Sequence, residues 1–202
     1  MTKRLISAAA VVVAAGAIAV SPAAIATAAP VPSPPLISAA GAPSYEQWIS
    51  DVTPVAAQAK SYVEERAGQV TKPAIVFDID NTTLETQYHF DLFRTPAVAP
   101  SLAVAKAAAQ RGVAVFFVTG RPEPARDVTR NNLIAVGYQV DGLDLTQLTD
   151  LGNLQKYKTA KRAAIEAKGY KIIANVGNSA SDLAGGYSER TYKLPDYNGA
   201  LN

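Results

Sequence analysis

Cysteine is absent from this chain of 202 residues, which excludes a disulfide framework, thiolate chemistry, cysteine-ligated zinc and a lipid-modified cysteine anchor. A domain exported without disulfides rests on packing alone. Histidine is nearly absent as well, His89 being the only one. An excess of charge of one sign is missing: 19 Lys and Arg stand against 17 Asp and Glu, and loss of Lys3 and Arg4 with a leader would leave the two balanced. Charge therefore gives no ground for a nucleic-acid partner. Long apolar runs are lacking except from Leu5 to Ala29, so no later segment has membrane-spanning length.

What is present at the start has the order of a secretory signal peptide over residues 1–28. Lys3-Arg4 supply the basic region, Leu5 to Val20 the apolar region, and Ala26-Thr27-Ala28 a small-x-small cleavage site. The expected destination is extracellular or cell-envelope, with no membrane contact after cleavage; an uncleaved N-terminal anchor is the alternative. Residues 29–43, with Pro30, Pro32, Pro34, Pro35 and Pro43, read as an extended tether. The folded unit is expected over 44–202, a length suited to one domain with a real core.

In that unit Ser44 is a candidate helix cap with Gln47 three positions on, and Trp48, Val52, Val55, Ala59 and Val63 recur at helical spacing. Pro54 is expected to kink or divide this helix. Beyond it, apolar runs at 74–79, 113–118 and 171–176 alternate with helical patterns at about 99–111, 122–136 and 155–168, with weaker strands near 142–145 and 191–194. The helix at 122–136 is expected to begin on Pro122 and stop at Gly137. Alternation of this kind predicts an α/β fold, a doubly wound, Rossmann-like parallel sheet with helices on both faces and a short cap insertion, about 83–97, after the first strand. Ligands in such sheets sit beyond the carboxyl ends of the strands.

Those ends are polar. The first leads into Asp78-Ile79-Asp80, two acids spaced to share one side of a strand if extended geometry persists. Desolvated paired carboxylates call for a hard cation such as Mg2+, or for acid–base chemistry. The second leads into Thr119-Gly120-Arg121, where a hydroxyl and a glycine just before a helix suit an anion, although an ordinary helix cap has the same composition. Arg121 suits either a phosphate contact or the surface. The third leads into Gly177-Asn178-Ser179-Ala180-Ser181-Asp182. A cation near these ends would come from the helix at about 155–168, ahead of the third run, with Lys158 the first choice and Lys161 the reserve.

Taken in order, Phe77-Asp78-Ile79-Asp80-Asn81-Thr82, Phe117-Val118-Thr119-Gly120-Arg121-Pro122-Glu123, Tyr157-Lys158-Thr159-Ala160-Lys161-Arg162 and Val176-Gly177-Asn178-Ser179-Ala180-Ser181-Asp182-Leu183 resemble the haloacid dehalogenase superfamily. Within it the likeness is to secreted acid phosphatases, which include bacterial class B and class C enzymes and the plant vegetative storage proteins. The resemblance implies hydrolysis of small phosphate monoesters through a phospho-aspartate, with Asp78 as nucleophile, Asp80 as general acid and base, Thr119 on the transferring phosphoryl group and Lys158 neutralising it. It implies Mg2+ at Asp78, Asp80, Asn178 and Asp182, and substrate contacts at Asn81, Gly120 and Arg121. Asn178 departs from the pattern, because the family usually has a metal-binding aspartate there, and Asn81 stands where relatives often have an acid. The departure keeps open a noncatalytic relative that binds or stores phosphate ligands. Tyr88, His89, Phe90 and Phe93 occupy the short cap, where they either fill space or stack on substrate. His89 is expected to be structural, since the inferred metal site is built from oxygens.

Overall fold

Ser44 opens the first helix, α1 (Tyr45–Arg66), by accepting the Gln47 backbone N–H at 3.2 Å. The computed structural model describes residues 41–91, 93–150 and 152–201; the leader and most of the expected tether lie outside the described residues. Trp48, Val52, Ala56, Ala59 and Val63 form the buried stripe of α1, with Val55 packed at its margin. Pro54 does not divide the helix as its sequence position suggested. It lies on the exposed side, one turn after the exposed Ser50, whose carbonyl loses its N–H partner to the proline.

Five strands, β1 (Pro73–Phe77), β2 (Ala114–Pro122), β3 (Gly142–Thr146), β4 (Lys171–Gly177) and β5 (Arg190–Lys193), form one sheet in the order β3-β2-β1-β4-β5, and every neighbouring pair is parallel. The helices between them are α2 (Ala99–Gln110), α3 (Arg126–Ala135), α4 (Leu154–Ala167) and the short α5 (Ala180–Leu183). Side-chain alternation splits the core into two layers. Ile75, Phe77, Val115 and Phe117 pack with α1 and α2, whereas Ala74, Val76, Phe116 and Val118 pack with Tyr157 and Ile165 of α4. Apolar faces on both sides of one parallel sheet are the doubly wound arrangement.

The helix expected from Pro122 begins later. Pro122 is the last residue of β2 and pairs with Thr146 of β3, a 3₁₀ turn follows at Glu123–Ala125, and α3 starts at Arg126. A residue before proline is pushed to extended backbone, so Arg121 continues the strand. Gly137, at φ 102°, ends the helix as expected.

The segment 83–97 is small and tied down at its base, where Leu84 bridges both Asp80 and Ala97. Tyr88 stacks on Trp48 at 4.9 Å and donates its hydroxyl to the Pro43 carbonyl, so this aromatic is part of the core. His89 Nδ1 lies 2.7 Å from the buried Glu85 carboxylate, which also accepts the Tyr45 hydroxyl. Phe90 and Phe93, by contrast, are exposed.

Candidate active site

Register brings the three polar exits together. Phe77 pairs with Phe117 on one side and Val176 on the other, so Asp78, Thr119 and Asn178 lie within two residues of the same level along the sheet. The Asp78 N–H still donates to the Val176 carbonyl at 3.0 Å, but the strand then breaks. The N–H groups of Thr82, Thr83 and Leu84 all turn back onto the Ile79 carbonyl, and Asn81 adopts φ 54°. Extended geometry does not persist, and the two acids therefore reach different cations.

Asp78 continues the parity of Ala74 and Val76 and so points to the α4 side. Asn153 caps α4 by accepting the Lys156 N–H, which starts the helix at Leu154 and sets Lys158 in its second turn, buried under the sheet edge. Lys158 Nζ donates to Asp78 Oδ1 at 2.7 Å and to Asp182 Oδ1 at 2.5 Å. Asp182 Oδ2 accepts the Ser179 N–H at 2.7 Å, and its carbonyl accepts from Arg162 and Asn175. The close seat of this side chain also requires Gly177, where a Cβ would lie 2.4 Å from that of Asp182. Burial, then the charge of Asp182, pushes Asp78 up to about 7 against the opposing pull of Lys158. For Lys158, burial alone would lower the pKa, but the two carboxylates raise it above the ordinary value, so the ammonium stays charged. Lys161, the reserve cation, pairs instead with Asp144 of β3 at 3.2 Å.

The second acid belongs to a more open group. Arg121 grips Asp80 with two nitrogens, Nε at 3.0 Å from Oδ2 and an Nη at 2.7 Å from Oδ1, while the Thr86 hydroxyl donates to Oδ1 at 2.7 Å. Partial burial favours the neutral acid, yet the Arg121 hydrogen bonds and charge outweigh it and hold Asp80 below the usual carboxylate range. Thr119 is fully buried and its hydroxyl accepts the Arg121 N–H at 3.1 Å. The carbonyls of Gly120 and Arg121 each accept from the Thr146 hydroxyl at 3.1 Å. Because β2 runs on to Pro122, no helix begins at Gly120, and the expected dipole contribution at Thr119 is replaced by this local turn.

Asn178 donates its amide to the Leu201 carbonyl at 2.7 Å and accepts the Thr82 hydroxyl at 3.1 Å; Asn81 donates to the same carbonyl at 2.9 Å. Among the described residues no group of three or more His, Cys, Asp and Glu side chains is arranged to hold a metal ion. A cation here would draw on one carboxylate, Asp78, with neutral oxygens from the Asp80 backbone and Asn178. That all-oxygen set fits a hard divalent ion, and Asp182 stands behind it with one carboxylate oxygen on Lys158 and the other on the Ser179 N–H. Thr82 stood in the first motif without a role, and Thr86 and Leu201 carried no signal: the Thr86 hydroxyl belongs to no distinctive pattern, and a backbone carbonyl 120 residues from Asn81 leaves no local trace.

A family model described as HAD superfamily, subfamily IIIB (acid phosphatase), matches residues 1–200. Acid phosphatase 1 of Solanum lycopersicum is 30% identical over 176 residues, covering 76% of this chain and 68% of that protein. The Stem 28 kDa glycoprotein of Glycine max is 30% identical over 175 residues, covering 75% and 68%. The class C acid phosphatase of Bacillus anthracis, solved with tungstate bound, shares the fold with a TM-score of 0.62 at 17% identity, over 78% of this chain and 83% of that one. Among the described residues no helix is long and apolar enough to cross a membrane. The chain belongs to subfamily IIIB of the HAD superfamily and is an acid phosphatase, a phosphoric monoester hydrolase.

Proposed function

We propose that this phosphatase is exported and works with Mg2+ through a phosphoryl group carried on Asp78. The observation that carries the reading is the buried contact of Asp78 with Lys158 at the carboxyl edge of the sheet, beside the end of β2 that carries Thr119. An Asp78 carboxylate oxygen attacks phosphorus, the ester P–O bond breaks with its electron pair on the leaving oxygen, and Asp80 supplies the proton that oxygen needs. In the second half Asp80 takes a proton from water, whose oxygen attacks phosphorus and breaks the bond to Asp78, releasing inorganic phosphate. Lys158, held charged and already against the nucleophile, offsets charge on the phosphoryl oxygens, and Thr119 offers its hydroxyl to one of them. When bound, Mg2+ would be held by Asp78, the Asp80 carbonyl and Asn178, and would draw negative charge from the phosphoryl group.

Asp80 in its grip by Arg121 is an acceptor, suited to the water step. The phosphate dianion of an arriving ester competes for the same guanidinium, and transfer of Arg121 to it lets Asp80 hold a proton for the leaving group. The small cap, with Phe90 and Phe93 outward, suits small monoesters of varied alcohols. Export is supported by the order of basic, apolar and small-residue segments over residues 1–28. The binding or storage alternative rests on Asn178 alone and expects no hydrolysis with any divalent ion.

The test is release of phosphate from an aryl phosphate by the purified protein, with added Mg2+ and with a chelator. Asp78→Asn keeps an acceptor for Lys158 and is expected to lower turnover at least about 1,000-fold. Turnover by that variant near the parent rate, or indifference to the chelator, would contradict the reading.

A further inference from the structure

The two places where the sequence departs from its family's acids meet on one atom. Asn81 lies in the loop after β1 and Asn178 in the loop after β4, and both amides donate to the Leu201 carbonyl, at 2.9 and 2.7 Å. A carbonyl oxygen has two lone pairs, so two N–H donors saturate it. The orientation of Asn178 follows: its nitrogen must face a group that only accepts, and its oxygen then receives the Thr82 hydroxyl. An aspartate at either position would set a carboxylate oxygen against the carbonyl with no proton between them.

The segment carrying Leu201 is built to reach this place. Leu194 donates its N–H to the Gly177 carbonyl, Tyr197 donates its hydroxyl to Asp51 of α1 at 2.6 Å, and the Leu201 side chain is buried in the α1–α2 core layer. Between these anchors Tyr197, Asn198 and Gly199 take φ of 51°, 57° and 88° in succession, a left-handed run that costs energy at its two non-glycine residues and persists where its surroundings hold it.

We propose that the Leu201 carbonyl is a positioning element of the catalytic centre: gripped by Asn81 and Asn178, it ties the loop of Asp78 and Asp80 to the loop that leads into α5 and Asp182, and these two asparagines are present to hold it. The catalytic part of this statement rests on the function proposed above; the clamp itself does not. Asn178→Asp, which restores the family's usual acid, therefore releases the strap instead of improving the site.

Amide exchange read by mass spectrometry on the full chain tests the clamp without relying on activity. Asn178→Asp and Asn81→Ser are expected to speed exchange in the 194–202 peptide roughly five- to tenfold, while peptides from β1 and β4 keep their protection. Asn81→Ser adds no charge and gives the same reading if the aspartate variant does not fold. In turnover assays both are expected to lower kcat several-fold with KM within about twofold. Unchanged exchange of the 194–202 peptide in Asn81→Ser overturns the clamp. Faster exchange with unchanged kcat overturns its role in positioning the site. Loss of the phospho-aspartate mechanism by other evidence would leave the exchange result standing.

Discussion

Two charged groups meet at the carboxyl edge of the sheet, and water separates their behaviour. In the group on the α4 side, the side chains of Asp78, Lys158 and Asp182 are 7%, 5% and 2% exposed; in the group on the β2 side, Asp80 and Arg121 are 39% and 18% exposed. Burial with a second carboxylate lifts Asp78, whereas a two-pronged guanidinium with more water around it lowers Asp80. The buried group cannot change partners without leaving a desolvated charge. The open group can, because water and an incoming phosphate both compete for Arg121. One half of the site is thus a fixed frame for the nucleophile and the other an exchangeable pair for proton transfer.

Lys158→Met puts the largest strain on this contrast. It leaves Asp78 and Asp182 buried together without a cation, and removal of one partner from a buried pair costs about 3–5 kcal/mol. Urea denaturation is expected to show that loss, together with near-complete loss of phosphate release; a variant as stable as the parent would mean the buried group is not a frame.

Arg121→Lys sharpens the other half. The charge remains but the fork does not, so folding stability is expected to change by less than about 1 kcal/mol, while kcat falls roughly 10- to 100-fold, the range of one positioned proton-transfer partner. A stability loss as large as that of Lys158→Met would erase the distinction between the two groups.

The smallest effect tests whether partly exposed pairs elsewhere follow the same rule. Hydrogen bonding to Arg66, with Tyr62 assisting against burial, draws Glu189 down to about 2 from 4.5. The unfolded chain then binds the proton first as pH falls, so this stabilisation is fully present above about 4.5 and disappears toward about 2. Glu189→Gln is expected to flatten the fall in unfolding free energy across that window by about 1 kcal/mol or less. A steeper fall in the variant than in the parent would reverse the sign.

Much of this was legible because strand ends in a doubly wound sheet are marked by apolar runs that stop at polar residues. β1, β2 and β4, Lys158 over Lys161, and the helix cap at Ser44 all followed from such patterns and their structural counterparts. Proline was the harder residue to read: Pro54 sits on an exposed side within one unbroken helix, and Pro122 is held in β2 by pairing with Thr146, and neither the exposed side nor the pairing is written locally. The partners of Asn81 and Asn178 were hidden more deeply. Sequence identified both as departures from acids, but that they serve a single carbonyl becomes visible only when residues 81, 178 and 201 are brought together by the fold. The same holds for Asp182, whose acidic position the family resemblance marked, while its contacts with Lys158 and the Ser179 N–H become visible only in the fold.

Whether Asp78 carries the phosphoryl group is decided by acid quench of the enzyme during turnover of a radiolabelled phosphate ester, followed by peptide mapping. Label is expected on the peptide containing Asp78, absent in Asp78→Asn and discharged in the parent when the ester is exhausted. Full turnover with no label on that peptide at any quench time, or label on a different residue, would contradict it.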